Sequence, residues 1–135
     1  MKTPLKLFIA ATSAALLGTA FQASAHHSFA AEFDSSKPIT IQGRVTRIAW
    51  TNPHVWIYLN VPDEDGKLVN WGFEMGAPQQ VRNQGWDRDT LSTGDEIIVE
   101  GSLARDGSAR MNARSVTWAD SGLRLGAASS ETNGR

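Results

Sequence analysis

The stretch TNPHVWIYLNVPDEDGKLVNWGFEM, residues 51–75, decides how this chain folds. After Thr51-Asn52-Pro53, Val55, Ile57, Leu59 and Val61 fall on one side of an extended chain. His54, Trp56, Tyr58 and Asn60 fall on the other. A period of two is what a half-buried strand requires. Pro62-Asp63-Glu64-Asp65-Gly66 then interrupts the alternation, and its Asp-Gly pair favours the positive φ of a tight turn. From Lys67 the alternation resumes, with Val69, Trp71, Phe73 and Met75 sharing a face. Residues 51–75 therefore read as two strands joined by a turn.

Upstream, from Pro38, Ile39, Ile41, Gly43 and Val45 alternate with Thr40, Gln42, Arg44 and Thr46, giving a strand before this pair. The phase slips at Arg47-Ile48, which predicts a bulge or a strong bend. Downstream, Pro78 near its start and Gly85 beyond its end bracket a short helix over residues 77–84. Thr93-Gly94-Asp95 makes a turn into the strand Glu96-Ile97-Ile98-Val99-Glu100. Arg105-Asp106-Gly107-Ser108 makes a hairpin into a last strand over residues 111–118. Five strands with one short helix between the third and fourth is the element order of the OB-fold. The expected class is all-β, a small five-stranded OB-like barrel, with a small β-sandwich as the competing architecture.

The two ends read differently. Lys2 and Lys6 precede an uncharged, mostly apolar run over residues 7–21, and Ala23-Ser24-Ala25 supplies the small residues that signal peptidase accepts. As a helix that run would rise only about 22 Å, short of a hydrocarbon core of roughly 30 Å. Residues 1–25 are expected to be a signal peptide, residues 26–120 the barrel domain and residues 121–135 a disordered tail poor in apolar residues. The expected location is the periplasm, with no membrane contact after cleavage. Removing the leader takes two of the 13 basic residues and none of the 14 acidic ones, so the mature charge is −3 with His neutral. That balance argues against nucleic acid, whose binding needs a basic surface that releases counterions. The absence of cysteine excludes disulfides and thiolate chemistry together.

Three histidines, His26, His27 and His54, carry the sharpest chemical expectation. Cleavage after Ala25 gives His26 a free α-amine beside its own imidazole, and the two can chelate one ion. His27 or His54 would supply a third nitrogen. Nitrogen donors without thiolate suit Cu(II) above other divalent ions, and an α-amine with a pKa near 7.7–8.0 is readily deprotonated. Glu32 and Asp34 lie close in sequence, as axial or supporting groups. A second constellation, Trp50, Asn52, Trp56, Tyr58, Trp71 and Glu74, gathers around the Asn-Pro turn and suits a ligand groove or an interface with another periplasmic protein. Ser28 lacks a placed base, and the Asp63-Glu64-Asp65 turn reads as solvated. No phosphate loop, HExxH or CxxC motif is present, so no enzymatic activity is expected.

HHSFAAEFD (residues 26–34), TNPHVWIYLNV (51–61), NWGFEMGAP (70–78) and GDEIIVEG (94–101) together resemble an uncharacterised family of small exported proteobacterial proteins, a domain-of-unknown-function family. The resemblance covers residues 26–118 and implies a periplasmic, OB-like domain with no established activity. It places the His pair, the Asn-Pro-His segment and the Trp-Gly-Phe-Glu strand among the family's motif positions. The resulting expectation is a non-catalytic protein that binds copper through His26, His27 and His54. The alternative is a metal-free module that binds a small ligand or a protein through its aromatic surface.

Overall fold

The computed structural model describes residues 29–131. The chain is all-β: β1 (Phe33–Trp50), β2 (Val55–Pro62), β3 (Leu68–Glu74), β4 (Glu96–Ala104), β5 (Arg110–Trp118) and β6 (Arg124–Gly126), with α1 (Pro78–Asn83) between β3 and β4. The sheet order is β3-β2-β1-β4-β5-β6, and a parallel pairing of Gly72–Glu74 with Arg110–Asn112 joins β3 to β5. Five strands thus close into a ring, the OB-like barrel, and β6 extends it at the rear half of β5.

β1 is the strand that makes closure possible. At 18 residues it is long enough to pair with β4 through its first part and with β2 through its last. The register shift between Val45 and Arg47 leaves Thr46 as the extra residue, slightly earlier than the phase slip in the sequence suggests. A second irregularity, between Asp34 and Pro38, lets the strand begin at Phe33 rather than Pro38. Such bulges bend and twist a strand, and here they turn β1 from one wall of the barrel to the next.

The alternation read in β2 and β3 matches the burial. Val55, Ile57, Leu59, Phe73 and Met75 are fully buried and meet Ile97, Val99, Met111 and Val116 from the opposite wall. Trp86 and Trp118 close one end with ring centroids 5.4 Å apart, and the Trp86 indole donates to Gly126 O at 2.8 Å. A smaller cluster, Phe29, Phe33 and Ala104, packs the helical turn at residues 29–32 onto the start of β1.

The expectation of a disordered tail from Ser121 is corrected over the described residues to 131. β6 pairs with β5, and Ala127, Ala128 and Ser129 are buried. The register shift between β4 and β5 leaves Arg114 as an extra residue, and its carbonyl accepts Ala127 N at 2.9 Å. Gly76 N donates to Ala127 O at 2.9 Å, and a Cβ at Gly76 would lie 2.4 Å from Ala128 O. Residues 127–131 therefore form a strap over the outside of the β3–β5 seam. Its small residues, which read as disorder-prone, are what allow so close an approach.

Candidate functional site

His54 ends the turn between β1 and β2. The Asn52-Pro53 peptide there is cis, and the Thr51 hydroxyl donates to His54 O at 3.1 Å, drawing the turn shut. His54 then points to the outer face, as alternation from the buried Val55 requires. Glu74 lies directly across from Trp56 at the end of β3, on the same face. His54 Nδ1 stands 3.3 Å from Glu74 Oε1, slightly long for a hydrogen bond, so the contact is an ion pair when the ring is protonated. The Glu74 carboxylate raises the His54 pKa above its ordinary 6.5, partial burial opposes the rise, and the Glu32 carboxylate adds to it through space.

Glu74 is only 7% exposed, so its charge needs partners. Asn112, fully buried beside it in the β3–β5 pairing, donates Nδ2 to Glu74 Oε1 at 3.2 Å. The same Nδ2 reaches Ser130 Oγ at 3.2 Å, and the Ser129 hydroxyl donates to Asn112 Oδ1. Glu131 anchors the strap's end, accepting from Ser102 Oγ at 2.8 Å and Arg114 Nη1 at 3.4 Å. The result is a continuous polar line, His54–Glu74–Asn112–Ser129, roofed by the strap. His54 Nε2 has no hydrogen-bond partner among the described residues, and the side chain is 30% exposed.

The remaining expected site residues divide between two faces. Trp56 and Tyr58 lie outside, stacked with centroids 6.3 Å apart. Their rings lie over Gly72, near enough that a Cβ there would meet them at 3.5–3.7 Å. The Arg47 guanidinium covers the Tyr58 ring at 4.0 Å. Trp71 shares the face of Phe73, is partly buried against the core and stacks on Phe73 at 6.3 Å, apart from the outer pair. Trp50 is likewise partly buried against the core, with Arg82 and Arg88 over its ring at 5.8 and 5.9 Å. Each lies across from a buried residue of β2, Trp71 from Leu59 and Trp50 from Val55. Asn52 is exposed in that turn. His26 and His27 lie outside the described residues.

The chain segment leading from those histidines is nevertheless tied down at its near end. Arg105 N donates to Glu32 O and Arg105 Nε to Ala30 O, each at 2.8 Å. Arg105 Nη1 also pairs with Asp34 at 3.4 Å, so Asp34 is committed to the turn rather than turned to His54. Among the described residues no group of three or more His, Asp or Glu stands placed to hold a metal. Sequence reading missed Asn112 and the strap serines, because a polar residue in a strand reads as an ordinary outward position.

Fold and site define a small closed OB-like barrel carrying a carboxylate-braced imidazole on its outer face. The chain belongs to DUF6152, a family of unknown function whose model matches residues 14–113. Among solved structures it is similar to the ZRD-deleted mutant of TiaS in complex with agmatine, at 20% identity and a TM-score of 0.43. That match covers 63% of this chain and spans only 22% of the other. No curated protein matches the chain.

Proposed function

We propose that this is an exported, non-catalytic periplasmic protein that binds copper through His54 together with His26 and His27 at the N-terminus left by signal-peptide cleavage. The supporting observation is the 3.3 Å contact of His54 Nδ1 with Glu74. Metal-binding histidines commonly give their second ring nitrogen to a carboxylate, which orients the ring and raises its basicity. The contact leaves Nε2 as the donor, at a half-exposed position a metal ion could reach. The His26 amine and imidazole, with His27, would complete a set of nitrogen donors without sulfur, which suits Cu(II).

The test is Cu(II) titration of protein beginning at His26, beside the same protein with one added N-terminal Gly and beside His54→Gln. Weaker binding in both altered forms is expected. Equal affinity with the added Gly removes the amine from the site, and equal affinity in His54→Gln removes the barrel from it. Mass spectrometry of exported protein must also find His26 first.

A second reading rests on the Trp56–Tyr58 pair, which with Arg47 forms an aromatic platform beside the imidazole. Such a face suits a small ligand or another periplasmic protein, with no metal involved. Trp56→Ala separates the two, since it leaves copper affinity unchanged on the first reading.

A further inference from the structure

The polar line does not stop at Glu74, and its remaining members make no use of solvent. Glu74 Oε1 accepts Asn112 Nδ2 and lies 3.3 Å from His54 Nδ1, so one oxygen sits between ring and amide. Asn112 is 0% exposed, and the Ser129 hydroxyl decides which end of its amide faces Glu74. With Oδ1 accepting from Ser129, Nδ2 is turned to the carboxylate. Ser129 Oγ in turn accepts Glu131 N at 3.1 Å, which leaves its own proton for Asn112.

We infer that Asn112, oriented by Ser129 of the strap, is a positioning residue that holds Glu74 against His54 and so keeps the ring in the tautomer with Nδ1 protonated and Nε2 bare. The strap thereby governs whether His54 can act as a donor. A carboxylate released from Asn112 can turn away, and the neutral ring is then free to carry its proton on Nε2, where it blocks a metal. The inference deepens the copper reading and rests on it for its use, but the tautomer is a property of the metal-free protein. It can therefore be measured separately.

The experiment is 15N NMR of the histidine ring nitrogens in purified, metal-free protein at alkaline pH, for the natural sequence, Ser129→Ala and Asn112→Leu. The natural protein is expected to show His54 Nδ1 protonated and Nε2 bare. Ser129→Ala shifts the population toward protonated Nε2, and Asn112→Leu does so further. Copper affinity falls about tenfold, the usual lower bound when a supporting group of a ligating histidine is lost. Asn112→Leu leaves buried groups unpaired; if it fails to fold, Ser129→Ala alone decides the question. An unchanged tautomer in folded Ser129→Ala protein overturns the inference, as does a natural protein whose His54 carries its proton on Nε2. A shifted tautomer in protein that never binds copper upholds the positioning role and sinks the copper reading instead.

Discussion

Replacing Glu74 by Gln keeps the side-chain volume and one acceptor for Asn112 while removing the charge that faces His54. Its cost therefore has two parts. One is independent of pH, from the altered packing and hydrogen bonding around Asn112. The other exists only while His54 is protonated. A hydrogen bond to a charged group contributes about 1.5–3 kcal/mol and a neutral one about 0.5–1.5 kcal/mol. At 3.3 Å the contact is long, so the lower end applies and the charge-dependent part is about 1 kcal/mol. The sign follows from linkage. The folded pKa of His54 lies above its ordinary 6.5, so its stabilising contribution is complete below 6.5 and disappears as pH rises through the folded value. Urea unfolding of the natural protein and Glu74→Gln at about pH 5.5 and pH 8.5 should show the variant costing roughly 1 kcal/mol more at the lower pH. In thermal melts this is a gap wider by about 4–8 °C. Both measurements cancel all other titrations, because each comparison is made at one pH. An identical cost at the two pH values would refute the ion pair.

Other consequences are as direct. Copper affinity should fall as pH drops from about 7.5 to 5.5, because protons compete for Nε2 and the raised pKa of His54 starts that competition earlier than at an ordinary histidine; a flat calorimetric titration series across that range excludes His54 as a ligand. Gly76→Ala should cost about 1–3 kcal/mol by overpacking against Ala128, where a Cβ would meet carbonyl oxygen at 2.4 Å. Gly72→Ala, whose Cβ meets only ring edges at 3.5 Å or more, should stay within about 0.5 kcal/mol in the same denaturation assay. Trp71→Ala, which removes a partly buried ring packed on the core, should cost more than Trp56→Ala in the same assay; equal losses would show that the Trp71 ring adds nothing to the core.

The barrel was legible because its signals are local. Alternation in residues 51–75 placed Val55, Ile57, Leu59 and Phe73 inside and Trp56 and Tyr58 outside, as found. The same alternation put Trp71 on the face of Phe73, where it packs partly buried against the core. The bulge was visible near Arg47 as a broken period, although the extra residue is Thr46. The strap was not legible. Gly126, Ala127, Ala128 and Ser129 carry neither apolar bulk nor periodicity, and they are ordered by backbone hydrogen bonds to Gly76 and Arg114 and by contact too close for larger side chains. Small residues signal disorder when nothing approaches them and tight docking when something does, and the sequence alone does not distinguish the two. The Glu74–Asn112 contact was hidden for a related reason. It crosses the parallel seam between β3 and β5, a pairing of residues 38 positions apart with no turn to announce it.

That seam bears on why a charge is buried there. Glu74 stands on the outer face of β3, where solvent would hydrate it if the strap were absent. Docking the strap over a carboxylate removes that hydration, a cost of several kcal/mol that the donors around it offset only with good geometry. A strap held by apolar residues of similar volume would avoid the cost. Among the described residues Asn112 donates to the carboxylate from β5, and the strap reaches it through Asn112. The same Glu74 oxygen is shared with His54, the one titratable ring among the described residues whose outward nitrogen stays unpaired. A network serving only to dock the strap would gain nothing from an imidazole at its solvent end. A network serving to orient that imidazole needs the buried carboxylate, the amide behind it and the strap that fixes the amide.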